Sequence, residues 1–444
     1  MHHRSVGKGW LLVLGALALG ACERELPTEV GAEHVPEAAL RTYEIVLGDD
    51  VFLLGDTLVR GFGSSDLATL LVVAQDWRDT IDAHGLVKLR AFPRTLTFAD
   101  SGNIVTDTVL RYVAGRLVLQ LDTVSLGLDT LGTDTTITFE IYQIAEPFDA
   151  RTASWRARES VGADSVFWTT PGGTTGDLIA TASWMRSDTM QRDTVSFVID
   201  SATVARWDAG GDDERAFLIR TTTAGARVHL GIPTLRLDAR MEEDPDTIRT
   251  LSSAVEAQTY VYDPAPPAPV DELRLGDRSA WRSYITFAPG LDSLEVPCPN
   301  EPGCTFRLGD AMLNRADLVL TPLAVPEAWR LTFPIEVEVR AVLGGADRPL
   351  ERAPLADTTG LAVVVPADFE VEGDSITRLG VTRFVRGLLG GAADSTITDR
   401  DRTIALVSDP EPVAYGIASF GGIGHERAPL LRLIVTLPVR EEND

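Results

Sequence analysis

The chain has 444 residues, with 40 Lys and Arg against 65 Asp and Glu, a net charge of −25 and 44% hydrophobic residues. So acidic a surface repels nucleic acid and anionic headgroups, which argues against nucleic acid as a partner. The apolar share is enough to bury the cores of two or three domains of ~100–200 residues each.

The chain starts with Arg4 and Lys8, followed by an apolar run from Trp10 to Leu19 and then Leu19-Gly20-Ala21-Cys22. The run is too short to cross a bilayer comfortably but has the layout of an export signal. Its end resembles the lipobox of bacterial lipoproteins, an aliphatic residue and two small ones before a cysteine. That resemblance implies a signal peptide over residues 1–21, cleavage before Cys22 and acylation of the Cys22 thiol. Residue 23 is Glu, where an Asp would suggest retention in the inner membrane, so the outer membrane is favoured. No later apolar run approaches ~18 residues, so the expected anchor is lipid and not a helix.

Residues 22–43 are poor in apolar side chains and carry Pro27, Gly31 and Pro36, as a flexible tether does. From there the texture changes to short segments in which β-branched and aliphatic residues alternate with Thr, Arg or Asp. Thr136–Tyr142, Val195–Ile199, Ala216–Arg220 and Thr234–Ala239 are examples, and each reads as a half-buried strand. One stretch breaks this pattern: Asp200–Gly210 reads as a short helix closed by Gly210-Gly211.

The second half repeats the order of the first. Thr57-Leu58-Val59 parallels Thr259-Tyr260-Val261, and Leu86–Phe92 parallels Ser283–Phe287. The helix Ser201–Gly211 parallels Val381–Gly391, and the proline-led strand Ile232–Leu237 parallels Ala428–Leu433. The spacing predicts an all-β chain with two tandem antiparallel β-sandwich domains, jelly-roll-like, at residues 44–244 and 249–440. The boundary is expected in the acidic segment Glu242–Thr247, with Pro264–Pro269 a loop inside the second copy. On this plan copy one lies nearest the membrane and copy two beyond it.

Between Leu294 and Arg307, Cys298-Pro-Asn-Glu-Pro-Gly-Cys304 is a hairpin-sized loop, and in an oxidising compartment its two cysteines are expected to form a local disulfide.

The segments Arg111–Leu121, Thr136–Phe148, Arg151-Thr152-Ala153-Ser154-Trp155, Thr170-Pro171-Gly172-Gly173 and Ser201–Gly211 follow one another in copy one. In that order they resemble the DNRLRE-type domain, also classed as carbohydrate-binding module family 96. The resemblance implies an exported jelly-roll sandwich that in some members binds polysaccharide.

The candidate ligand-binding residues are Trp168 and Trp184, whose ring faces could stack on a pyranose, with Arg156 and Arg158 beside Trp155 as partners for an acidic polymer. Asp212, Asp213 and Glu214 could gather oxygen ligands around Ca²⁺, against the plainer reading of a solvated turn. The histidines after the signal are His34, His84, His229 and His425, and no nucleophile elbow, HExxH or P-loop accompanies them. The expected function is therefore non-enzymatic: a lipid-anchored envelope protein whose tandem sandwiches bind a glycan or another envelope component. The alternatives are a structural or assembly lipoprotein that meets protein partners and, behind it, a polysaccharide-degrading enzyme.

Overall fold

The computed structural model describes residues 40–438 except 61–67, 69, 101–102, 123–135, 162–163, 186–193, 243, 345–348, 372, 374, 391–397, 410 and 412–414. Cys22, the signal and residues 22–39 of the tether fall outside the described residues. The chain is mostly antiparallel β, as the alternation predicts. In Thr194–Ile199 every second residue, Val195, Phe197 and Ile199, points inward. In Thr234–Met241 the inward residues are Leu235, Leu237, Ala239 and Met241. The helix forms at Ser201–Ala209 because the Asp200 carboxylate accepts from the Thr203 amide at 2.7 Å and so caps its first turn.

Besides three two-stranded sheets, the described strands pair into two large and two small sheets with matching orders. The first large sheet runs Thr175–Met185, Thr136–Ile144, Ala216–Thr221, Ile81–Leu89, Leu71–Trp77, Ala226–Leu230. The second runs Leu355–Val364, Ile335–Val342, Thr403–Asp409, Trp281–Phe287, Glu272–Gly276, Ile417–Gly421. The small sheets match as well. Thr194–Ile199, Leu110–Gln120, Thr234–Met241 and Ile248–Ser253 correspond in order to Thr377–Gly380, Met312–Leu320, Leu430–Pro438 and Leu40–Leu47. Position for position, the internal repeat read in the sequence reappears in the strand order.

The correspondence exposes an exchange. The strands that open each half, Leu40–Leu47 with Leu53–Arg60 (arm 1) and Ile248–Ser253 with Val255–Asp263 (arm 2), are equivalent. Arm 1 pairs with Leu430–Pro438 and Trp281–Phe287, both in the second half. Arm 2 pairs with Thr234–Met241 and Ile81–Leu89, both in the first. The sheets therefore do not respect the expected spans 44–244 and 249–440: each half completes its sheets with the arm that precedes the other. One cause is visible in the segment after arm 2. Pro264, Pro266, Pro267 and Pro269 lie between Asp263 and the next strand, and prolines favour an extended path over the tight turn of a hairpin. Arm 2 is thereby discouraged from folding back onto the strand that follows it.

Each core confirms the exchange. The larger apolar cluster joins Leu318, Ile404 and Leu433 of the second half to Ile45, Leu47, Phe52 and Leu53 of arm 1. The cluster of the first half includes Leu117, Phe139, Trp207 and Phe217 and takes Val255 from arm 2.

Strand structure begins at Leu40, four residues earlier than the expected start of the folded part. Leu40 lies opposite Pro438, so the first described strand joins the second half's small sheet. The disulfide Cys298–Cys304 is present as expected. Its loop presents Glu301, whose carboxylate accepts hydrogen bonds from Arg41 and from the Tyr43 hydroxyl, the latter at 3.0 Å. Tyr43 also stacks on Phe306 with centroids 6.2 Å apart. The disulfide loop thus grips the start of arm 1.

Candidate functional site

The segment that carried the family resemblance folds over the outer face of the first large sheet. Phe148, Ala150, Ala153 and Trp168 pack there on Leu86, Ile144, Leu218 and Val261. Two glycines make its turn. Gly172 has φ of +86° and Gly173 +109°, and a Cβ on Gly172 would lie 2.8 Å from Trp155 Cη2. The Gly172 amide donates to the Trp155 carbonyl at 2.6 Å, and its carbonyl meets His84 Nδ1 at 2.8 Å. Gly172→Ala is accordingly expected to lower stability by about 1–3 kcal/mol, read as a lower urea midpoint with an unchanged slope.

The two tryptophans proposed as platforms are not exposed. Trp168 is 5% exposed, and its indole N–H donates to the Ser154 carbonyl at 2.9 Å. Trp184 is 6% exposed and belongs to the core between the first large sheet and the small sheet that contains Thr194–Ile199. Neither presents a face to a sugar, because each ring supplies apolar area that this sandwich needs to bury. Arg158 donates to the Pro147 carbonyl at 2.8 Å and holds the cover in place. Arg156 is exposed, the one member of that set facing solvent.

Asp212, Asp213 and Glu214 follow the helix, and their carboxylates go to three different partners. Asp212 accepts from Arg215 at 2.5 Å, Asp213 faces Lys88 at 3.4 Å, and Glu214 accepts from the Gly211 amide at 2.8 Å. The three carboxylates thus point to separate partners rather than to one common point. Arg215 explains it, since its buried guanidinium also donates to the carbonyls of Gly210 and Trp207 and so satisfies the helix C-terminus. Among the described residues, the grouping with metal-type ligands within 4.8 Å is Cys298, Glu301 and Cys304, whose sulfurs are already bonded to each other.

Beside these carboxylates lies a cleft of about 250 Å³, lined by Gln143–Pro147, Arg206, Asp213 and Glu214. Gln143 organises it: the side-chain amide donates to the carbonyls of Glu214 and Ala216, and its oxygen accepts from the Trp207 indole at 3.2 Å. Glu146 forms one wall. Hydrogen bonds from the Thr174 hydroxyl and from the Thr169 amide and hydroxyl hold its carboxyl below the usual range. Arg206 is the loosely held cation of the site, 3.8 Å from Asp177 and 3.4 Å from the Gln143 oxygen. One guanidinium among several carboxylates offers donors and acceptors to a neutral, hydroxyl-rich ligand and repels a polyanion. Apart from Asp213 and Glu214, these residues were not singled out by sequence. Gln143 and Glu146 sit in an ordinary alternating strand and the loop after it, and Arg206 lies 63 residues from its partner Gln143.

A second polar cluster lies where the halves meet. Trp77, Ala83, Tyr260, Ala328 and Tyr415 pack together there. The Arg227 guanidinium is 4.4 Å from the Trp77 ring centroid and 5.2 Å from that of Tyr415, whose hydroxyl donates to the Ala328 carbonyl at 2.5 Å. His229 is fully buried, 6.3 Å from the Tyr415 ring, with no hydrogen-bond partner on either ring nitrogen. Burial first, then the charge of Arg227, pushes its pKa down to about 3.

No protein-family model matches this chain, and no curated protein matches it. Among solved structures it is similar to that of the infectious bursal disease virus Gx strain, at 11% identity over 89% of this chain and 78% of that chain. The TM-score is 0.08, too low to support an argument about fold or function.

Proposed function

We propose that this protein is an exported lipoprotein, held on a bacterial envelope by acyl groups on Cys22, and that its interlocked sandwiches form a non-enzymatic binding module. The observation that carries the reading is the pairing of a lipobox-like start with a disulfide at Cys298–Cys304, since such a bond persists in oxidising compartments outside the cytosol. Two or more acyl chains give a stable anchor where one gives only marginal binding. The non-enzymatic part is supported by the histidines. His84 meets a backbone carbonyl, His229 is sealed in the seam, and the His425 ring accepts from the Arg427 amide at 3.0 Å.

For the ligand we favour a neutral saccharide at the Arg206 cleft, which has room for about one sugar ring and offers mixed donors and acceptors. A second reading, docking to an envelope protein, is favoured by the hairpin Ala157–Phe167. Val161 is 66% exposed there and Phe167 65%.

Two measurements test this. Labelled fatty acid is expected on the wild type, and Cys22→Ser is expected to move the protein from the membrane to the soluble fraction; an unlabelled wild type, or a variant that stays membrane-bound, removes the anchor. On a polysaccharide panel, retention that falls at least tenfold in Arg206→Ala supports the cleft, while no retention of any polysaccharide removes the sugar reading and leaves the protein partner.

A further inference from the structure

Among the described residues, arm 1 is held by strand pairing and side-chain contacts with the half that it does not precede. Its first strand pairs along its whole length with Leu430–Pro438, and Glu44 takes Arg432 in a two-pronged ion pair at 2.8 and 2.9 Å. Its second strand pairs with Trp281–Phe287, and Asp56 accepts from the Ile423 amide at 2.8 Å. Phe52 fills the core against Phe287, and Glu301 of the disulfide loop holds Arg41 and Tyr43. Among the described strands, neither strand of arm 1 pairs with one of the half that follows it.

The slot therefore identifies its arm by side chains and strand register alone. The covalent link from Arg60 to Leu71 only decides which copy of the arm arrives first. Ten connecting residues reach at most ~33–36 Å, so the tie is a matter of local concentration. The chain already demonstrates that such an arm can complete a sheet outside its own half, and does so twice.

We propose that the arm 1 slot accepts arm 1 of a second copy of this chain, giving an arm-exchanged dimer in which every sheet keeps its native pairing. The contacts in such a dimer are the same as in the monomer, so the balance between the two states is set by concentration. A short linker supplies its own arm at ~1 mM, and the monomer prevails until the chain concentration approaches that level. The disulfide loop and the Glu44–Arg432 pair must release before an arm can change place, so exchange is slow and the dimer, once formed, persists. Copies crowded together by the proposed lipid anchor reach such concentrations; only this last step rests on the anchor, and the exchange itself does not.

The test uses the full chain carrying Cys22→Ser, with Thr42→Cys and Thr436→Cys added, two facing positions whose hydroxyls are 2.9 Å apart across the arm 1 pairing. Protein is refolded with the native disulfide intact at ~10 μM and at ~1 mM, sized, and oxidised. The dimer fraction is expected to rise at least tenfold between the two conditions. In the dimer the new disulfide is expected to link two chains, doubling the mass on a non-reducing denaturing gel, whereas in the monomer it stays within one chain. A dimer whose new disulfides are all within one chain is a surface contact and overturns the proposal, as does the absence of dimer at ~1 mM. Should that variant fail to fold, Gly55→Cys with Thr286→Cys bridges the second arm strand in the same register, with open space at Gly55 for the added side chain.

Discussion

Phe52→Ala is expected to destabilise a sandwich whose other strands begin more than 200 residues later in the chain. Phe52 is fully buried, edge-on to Phe287 at 5.5 Å, and Phe287 meets Phe384 in the same way at 5.2 Å. Truncating a buried phenylalanine costs about 3–5 kcal/mol. At ~2–4 °C per kcal/mol for a unit of this size, calorimetry should show a melting temperature lower by roughly 6–20 °C. The form of the transition is as informative as its position. Because each half is completed by the other's arm, one shared transition is expected to shift. Two transitions, with only the upper or only the lower one moved, would show that the halves melt independently in spite of the exchange.

The seam predicts how stability depends on pH. The pKa of His229 falls from its ordinary value of 6.5 to about 3 in the folded chain, because burial and the Arg227 charge both oppose protonation. The unfolded chain therefore binds the proton first. The contribution is fully present above pH 6.5 and is lost as the pH falls toward 3, at roughly 1.4 kcal/mol per unit and roughly 5 kcal/mol in all. His84 shifts in the same direction, chiefly through burial, and adds to the same slope. Replacing His229 by leucine removes no hydrogen bond, since neither ring nitrogen has one. His229→Leu is expected to flatten the decline between pH 6.5 and 4.5, above the range where most carboxylates titrate, by close to one proton in the stability slope. An unchanged slope would mean that the seam opens to water in the native state.

The site was only partly legible in the sequence. Alternation located Thr136–Ile144 and Ala216–Thr221 and thus the sheet beneath the cleft, because period-two patterning follows directly from having one face buried. It could not say which aromatic rings stay exposed. Trp168 and Trp184 lie in segments without a clear pattern, and their burial follows from the cover folding back over the sheet and from packing between the first large sheet and its small partner. The Asp212–Glu214 run read as a solvated turn or a potential cation site; two of its carboxylates bond to neighbours three residues away, while Asp213 meets Lys88 from a strand 125 residues away.

The sequence by itself determined the class of the fold, the helix at Ser201–Ala209 and the disulfide. All of these depend on the local pattern of side chains along a few consecutive residues. It also showed that Thr57–Val59 and Thr259–Val261 are equivalent. Only the tertiary structure decided that these equivalent strands change places. An exposed strand edge offers the same hydrogen-bonding groups to any strand of suitable register and face, so pattern alone cannot name the partner. The choice was made by contacts distant in sequence: Phe52 with Phe287, Glu44 with Arg432 and Tyr43 with Glu301 of the disulfide loop.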